Sequence, residues 1–250
     1  MITVDGIAKT FDDVRAVDDL SFHVDAGEVY GLLGPNGAGK TTTLRILATL
    51  LRADAGSARV AGFDVITQSE RVRRSIGVVN GGMGLYDRLT GRETLHYFGR
   101  LYGMSRAAID ERIHVLDDLL ELGDILSRRA GGYSSGMKQK IVIARAVLHD
   151  PPVIFFDEVT SGLDVVARRA VLDFVRRYPG ESRAVVYSTH VMSEVEELCD
   201  RACIIYRGSK IAEGSIAELV RMGAGRNLED AFFKLVERSG VRPSAAEAAP

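Results

Sequence analysis

The segment GPNGAGKT, Gly34–Thr41, constrains the fold of this chain more than any other part of the sequence. It matches the pattern Gly-x-x-x-x-Gly-Lys-Ser/Thr, whose glycines let successive backbone N–H groups turn inward around phosphate groups. The residues before it, Glu28–Leu33, have the pattern of a strand, and a helical pattern begins at Lys40. The alternative, a glycine-rich turn beside a surface lysine, does not require this context. The sequence therefore predicts a phosphate-binding loop between a strand and a helix.

The residues of this loop have expected roles toward a nucleoside triphosphate, which we predict to be ATP. Lys40 should reach the β- and γ-phosphates, and the Thr41 hydroxyl should bind Mg²⁺. The start of the helix adds the positive end of its dipole. The other predicted nucleotide-binding residues are Gly34, Pro35, Asn36, Gly37, Ala38, Gly39 and Thr42.

Two carboxylates follow the apolar run Val153–Phe156, which has the pattern of a buried parallel strand. Ligands of open α/β sheets bind beyond the carboxyl ends of the strands. Asp157 is therefore suited to hold Mg²⁺, and Glu158 to accept a proton from an attacking water. An acidic pair after a strand is more often only the start of a helix, so this interpretation depends on the phosphate loop.

The pattern of the second half of the chain alternates between strand and helix, which predicts an α/β domain with a mostly parallel sheet. The predicted elements are a strand Val153–Phe156, a helix Val165–Arg177, a strand Ala184–Ser188, a helix Val191–Leu198 and a strand Ala202–Tyr206. The first thirty residues read as three strands. The segment from about 85 to 148 is nearly all helical and reads as an inserted subdomain. The alanine-rich tail 241–250 is expected to be flexible.

Composition excludes several classes of protein. The formal net charge of the 250 residues is −2, so no bulk positive field favours nucleic acid as a partner. Cys199 and Cys203 are too few for a disulfide framework or a zinc site. No run of 18 apolar residues and no apolar core of a signal peptide is found. We therefore expect a cytosolic chain that would need another protein to span a membrane.

Five segments occur in a specific order: GPNGAGKT, YSSGMKQK, FFDE, SGLD and STH. In this combination the chain resembles the ATP-binding cassette (ABC) ATPases, the motor subunits of membrane transporters. The resemblance implies a P-loop NTPase fold whose core is a mostly parallel sheet. It also implies an N-terminal antiparallel β subdomain and an inserted helical subdomain. Residues 1–240 would then form one nucleotide-binding domain.

The resemblance also implies roles for residues outside the phosphate loop. His190 resembles the family's switch histidine, which contacts the γ-phosphate, and Phe11 stands where an aromatic ring meets adenine. The signature segment, which binds the γ-phosphate held by an opposing subunit, would comprise Ser134, Ser135, Gly136 and Met137. The segment that links the two sites of a dimer would comprise Ser161, Gly162, Leu163 and Asp164. Read alone, the signature is a helix cap, His190 a structural histidine and Phe11 a core residue.

The sequence departs from the family pattern at three places. The glutamine that usually follows the strand Ile76–Val79 is absent, and Asn80 and Gly81 stand in this region instead. Asn80 has an amide but is one methylene shorter than glutamine, so we expect it to substitute only in part. The alternative is that a backbone group or water takes the place of the glutamine. Ser135 and Met137 replace the usual glycine and glutamine, whereas Ser134 and Gly136, which face phosphate in the family, remain.

The sequences of Leu85–Thr90 and Ser134–Lys140 resemble the corresponding segments of the ATPases of ABC-2 type exporters. These ATPases pair with separate six-helix permeases. This implies a peripheral subunit at the cytoplasmic face of the membrane, which powers the export of a sodium ion, a drug, or another small molecule or lipid by the permease. A second ATPase chain, expected to be identical, would complete each ATP site. An importer subunit or an ABC ATPase without a transport role is the alternative.

Overall fold

Two sheets organise residues 1–240, which are the part of the chain described by this computed structural model. The predicted tail 241–250 lies outside the described residues. The strands are β1 (Ile2–Phe11), β2 (Val14–Val24), β3 (Val29–Leu33), β4 (Ala55–Val60), β5 (Phe63–Asp64), β6 (Ile76–Asn80), β7 (Val153–Asp157), β8 (Ala184–Thr189), β9 (Arg201–Tyr206) and β10 (Ser209–Ser215). The first sheet has the order β2-β1-β4-β5 and is antiparallel throughout.

The second sheet has the order β10-β9-β3-β8-β7-β6. Its strands run parallel except for β10, which pairs antiparallel with β9. Every residue of β3 and β8 is buried, as expected for parallel strands covered on both faces. The carboxyl ends of β3, β6, β7 and β8 therefore meet at one edge of the sheet, and the sequence-predicted α/β class is confirmed.

Helices of the described residues pack against this sheet. The helices are α1 (Lys40–Leu47), α2 (Ser69–Arg74), α3 (Gly91–Leu101), α4 (Arg106–Leu120), α5 (Ser135–Val147), α6 (Val165–Arg177), α7 (Met192–Leu198), α8 (Ile216–Met222) and α9 (Leu228–Arg238). Two 3₁₀ turns, Gly123–Leu126 and Ala130–Gly132, connect α4 to α5. None of the helices in residues 1–240 is long and apolar enough to cross a bilayer.

The segment 85–148, which we predict to be a helical subdomain, contains α3, α4 and α5. Their contact is apolar: Leu95, Ile109, Ile113 and Ile141 are buried in one cluster. Helix α3 ends at Leu101 and α4 begins after Ser105, whose side chain accepts the Ala108 N–H. This segment carries the signature residues at the start of α5.

Four short elements were not predicted: β5, α2, β10 and α8. They contain two to seven residues and are mostly half-buried or exposed, so their apolar periodicity is weak. A local signal does exist for α8, since Ser215 and Glu218 form a capping box at its start. The antiparallel β10 is an edge strand of the second sheet.

Candidate functional site

The loop Gly34–Gly39 connects β3 to α1 in a conformation that requires glycine. Gly37 and Gly39 have φ angles of 80° and 103°, which side-chain-bearing residues rarely adopt. A Cβ atom on Gly39 would lie 2.3 Å from the carbonyl oxygen of Ala16, and one on Gly34 would lie 2.1 Å from that of Ile205. The loop backbone is thus closely packed on its outer side.

The Lys40 side chain folds back into this loop and is 4% exposed. Its ammonium group donates to the carbonyl oxygens of Gly34, at 2.7 Å, and Pro35, at 3.0 Å. The same nitrogen lies 3.3 Å from Glu158 Oε1. A positive charge is therefore held where the loop and the end of β7 meet.

Asp157, the last residue of β7, accepts hydroxyl hydrogen bonds from two neighbouring elements. Thr41 Oγ1 donates to Oδ2 and Ser188 Oγ donates to Oδ1, both at 2.8 Å. Mg²⁺ prefers such oxygen ligands and is usually held by one or two carboxylates together with substrate phosphates. No group of three or more His, Cys, Asp and Glu residues that could hold a metal is found in residues 1–240. The donor set fits Mg²⁺ completed by phosphate, and the sequence did not single out Ser188.

Glu158 sits next to two groups that stabilise its charge. Its backbone has a φ of 51°, and its N–H donates to the Ser188 carbonyl at 2.9 Å. His190 Nδ1 lies 3.2 Å from Glu158 Oε1, and a carboxylate can only accept, so Nδ1 carries the proton. Burial raises the pKa of the Glu158 carboxyl, but hydrogen bonds and charge from His190 and Lys40 outweigh it and hold the pKa below its usual value. Glu158 is thus ionised at neutral pH.

A cleft of about 230 Å³ opens beside the phosphate loop. It is lined by Phe11, Ala16, Asn36, Gly37, Ala38, Gly39, Lys40, Thr41, Thr42 and Glu158. Phe11 is 42% exposed, so it is not a core phenylalanine, and the Lys9 ammonium lies 5.4 Å from its ring centroid. The structure therefore brings Phe11 together with the loop residues, and its contact with adenine stays a prediction.

Asn80 and Gly81 lie on the other side of the loop, at the end of β6. Asn80 pairs with Asp157 across β6 and β7, and the Gly81 N–H donates to the Asp157 carbonyl at 3.1 Å. A cavity of about 480 Å³ is lined by Asn80, Asp157 and Glu158, among others. The Asn80 Oδ1 atom accepts from the Gly82 N–H at 3.2 Å, so this oxygen is engaged within its own loop.

The signature residues begin α5 and do not line the cleft beside the phosphate loop. Ser134 caps the helix, its hydroxyl accepting from the Met137 N–H at 3.3 Å, and Ser135 is the first helical residue. A Cβ on Gly136 would lie 2.8 Å from the Cβ of Ala167, so α5 and α6 approach closely at this point. Ser134 is exposed, which leaves this helix start open to another molecule.

The segment Ser161–Asp164 begins three residues after Glu158. The Ser161 N–H donates to the Glu158 carbonyl at 3.2 Å. Gly162 has a φ of 73°, and Leu163 is half-buried. Asp164 caps α6 by accepting from the Ala167 N–H at 2.9 Å. This segment therefore joins the end of β7 to the helix that packs against the signature.

A buried carboxylate that the sequence did not single out lies beneath His190. Glu194 in α7 is 1% exposed and bonds Arg168, Tyr187 and Thr189. In the sequence, Glu194 is marked only by its position four residues after His190. That spacing is common between neighbours on the surface of any helix, so it does not indicate a special role.

A comparison with protein families matches residues 17–161 to the family described as ABC transporter. The matched range includes the phosphate loop, the signature and the carboxylate pair. It covers more than half of the 250 residues.

Curated relatives align along nearly the whole chain. The ABC transporter ATP-binding protein NatA of Bacillus subtilis is 42% identical, over 95% of this chain and 99% of its own length. The daunorubicin/doxorubicin resistance ATP-binding protein DrrA of Streptomyces peucetius is 44% identical, over 87% of this chain and 66% of its own. The Nod factor export ATP-binding protein I of Burkholderia lata is 41% identical, over 88% and 72%.

Solved structures share the fold. One, described as an ATP-binding subunit of an ABC transporter, has a TM-score of 0.85 and 29% identity, over 94% of this chain and 99% of the other. Another, an ATP-binding cassette in a dimeric post-hydrolysis state with ADP and Pi, has a TM-score of 0.76 and 22% identity, over 86% and 98%. The second likeness concerns the fold alone.

Proposed function

This chain belongs to the ABC transporter family of ATP hydrolases, and we propose that it powers a separate ABC-2 type export permease from the cytoplasmic face of the membrane. One observation carries the catalytic part of the proposal. Lys40 Nζ and His190 Nδ1 lie 3.3 and 3.2 Å from the same oxygen of Glu158, beside the phosphate loop. Phosphate binding, proton acceptance and phosphate sensing therefore share one corner of the sheet.

The residues of this corner have distinct tasks in hydrolysis. The loop N–H groups and the Lys40 ammonium neutralise the β- and γ-phosphates of ATP, with Lys40 exchanging its loop carbonyl bonds for phosphate oxygens. Phe11 stacks on adenine, which requires only an aromatic face. Glu158 orients the attacking water and accepts its proton, and its lowered pKa keeps it ionised for this task. His190 donates to Glu158 through Nδ1 and, with both ring nitrogens protonated, donates to the γ-phosphate through Nε2.

Thr41, Asp157 and Ser188 would hold Mg²⁺ at the edge of β7 and β8. The ion would neutralise the negative charge that develops on the phosphate oxygens. Asp157 stays fixed by its two hydroxyl partners, so its carboxylate needs little rearrangement. Asn80 substitutes in part for the missing glutamine, because its Oδ1 atom accepts from the Gly82 N–H with one lone pair and has a second lone pair for Mg²⁺.

One chain supplies only half of each ATP site. Ser134 and Gly136 stand at an open helix start outside the cleft of their own loop, where backbone N–H groups and the helix dipole suit an anion. Two copies of this chain therefore face each other head to tail, each signature closing the other's site. Binding of ATP favours the closed dimer and hydrolysis favours the open one, which delivers the stroke to the permease.

Relatives named for Nod factor export and for daunorubicin/doxorubicin resistance support export rather than import. A sodium ion, a drug, or another small molecule or lipid is the cargo class that fits such exporters. The membrane partner selects the cargo, so no residue of this chain is assigned to it.

Purification of the native complex from detergent-solubilised membranes tests this function. We expect the chain to co-purify with a six-helix membrane protein and to hydrolyse ATP, and Lys40→Ala to abolish ATP binding or turnover. Glu70→Gln, which removes only a surface pair with Arg74, is the control and should retain full activity. Co-purification with an importer permease and a substrate-binding protein would refute the export assignment.

A further inference from the structure

The turn that carries His190 is held in place by the buried carboxylate of Glu194. Glu194 Oε2 accepts hydrogen bonds from the hydroxyls of Tyr187, at 2.8 Å, and Thr189, at 3.0 Å. Thr189 Oγ1 in turn accepts from the Val191 N–H at 3.0 Å. The residues on both sides of His190 are therefore held by a single chain of hydrogen bonds that ends on Glu194.

The other oxygen of Glu194 reaches a different element. Arg168 Nε, on α6, donates to Glu194 Oε1 at 2.9 Å. The first turn of α6 is capped by Asp164, the last residue of the segment that follows Glu158. One carboxylate thus joins the turn of His190 to the helix that begins at Asp164.

These groups surround a common space. A cavity of about 210 Å³ is lined by Glu158, Ser161, Arg168, His190 and Glu194, among others. Glu194 itself is 1% exposed, and its side chain hydrogen-bonds Thr189, the residue before His190. Its action on the reaction must therefore be indirect.

Stability alone gives a weak reason for a charge at this position. A buried carboxylate loses its hydration, and buried ion pairs often add no more stability than apolar residues of the same volume. Each oxygen of Glu194 is nonetheless matched to donors, with burial raising the pKa of Tyr187 so that its hydroxyl keeps its proton. Such a satisfied network holds the groups that it joins in one geometry.

We propose that Glu194 is a positioning residue for hydrolysis, which fixes His190 against Glu158 and ties its turn to α6 through Arg168. This inference rests on the proposed role of His190 in the ATP site. It assigns Glu194 no contact with ATP or with the attacking water.

Glu194→Gln in the full-length chain tests the proposal. An amide has only one acceptor oxygen, so either Arg168 or the two hydroxyls must lose their acceptor. We expect kcat to fall about 10- to 100-fold, because small misplacement of a catalytic group has effects of this size, with little change in KM. Glu197→Gln is the matched control: it removes ion pairs between the same two helices, to Arg169 and Arg176, and should leave kcat unchanged.

A double-mutant comparison separates positioning from general damage. If Glu194 acts through His190, adding Glu194→Gln to His190→Ala should cause no further loss of kcat. Losses that multiply in the double variant, or native kcat in Glu194→Gln, would overturn the proposal. An inactive native chain would instead count against the proposed function.

A pair of substitutions at Thr189 covers the case in which Glu194→Gln does not fold. Thr189→Val keeps the shape but removes the hydroxyl, and should lower kcat as Glu194→Gln does. Thr189→Ser keeps the hydroxyl and should restore turnover. Equal kcat in the valine and serine variants would contradict the proposal.

Discussion

The contact between the signature and α6 allows a quantitative test at Gly136. A Cβ at this residue would lie 2.8 Å from the Ala167 Cβ, about 0.6 Å short of ordinary van der Waals contact. In a helix without that neighbour, glycine to alanine would stabilise the fold by about 0.5–1 kcal/mol. Overpacking costs about 1–3 kcal/mol, so Gly136→Ala should be mildly destabilising and should move the start of α5 away from α6.

This displacement should affect the site that the signature completes, not the site in its own chain. We expect the steady-state ATPase rate of Gly136→Ala to fall at least about ten-fold. ATP affinity of the isolated chain, measured with a fluorescent nucleotide, should stay native because the phosphate loop lies elsewhere. Circular dichroism melting checks that the fold survives.

Two further variants make the reasoning refutable. Gly132→Ala is the control, because a Cβ there meets nothing within 4 Å and its φ is not in the left-handed region. Ala167→Gly added to Gly136→Ala restores the space and should recover most of the ATPase rate. If Gly136→Ala retained the native rate, or if Ala167→Gly gave no recovery, the proposed steric role of this glycine would be wrong.

The remaining predictions concern the carboxylate and amide beside the loop. His190→Ala removes a group that lowers the pKa of Glu158, so this pKa should rise and the acid limb of the kcat–pH profile should move to higher pH; an unmoved limb would argue against the pairing. The charge of Glu158 contributes stability above its unfolded pKa, and this contribution is lost as the pH falls through the lowered folded pKa. Asn80→Ala should reduce turnover several-fold and raise the Mg²⁺ concentration needed for half-maximal activity. Unchanged turnover and Mg²⁺ dependence would exclude Asn80 as the substitute for glutamine.

Local sequence was sufficient where an element is long or carries its own chemistry. The bounds of α6 agree with the predicted Val165–Arg177, and β7 exceeds the predicted Val153–Phe156 by one residue, since amphipathic helices and buried strands leave clear patterns. The phosphate loop could also be predicted from the sequence, because its backbone conformation requires glycine. The short edge strand β10 left no such pattern.

Contacts between distant elements could not be read from the sequence. Glu194 looks like any polar residue of a helix until α7 packs on β8 and buries it against Tyr187 and Thr189. The bond of Ser188 to Asp157 depends on the register of β7 and β8. In both cases the role depends on which elements lie next to each other in the folded chain.

The central claim is that ATP binding joins two copies of this chain and that Glu158 ends that state by hydrolysis. Light scattering of purified Glu158→Gln with ATP and Mg²⁺ measures it directly. The account predicts a stable dimer with ATP retained on it, and monomers when ADP replaces ATP. A Glu158→Gln chain that binds ATP but remains a monomer would contradict the composite site.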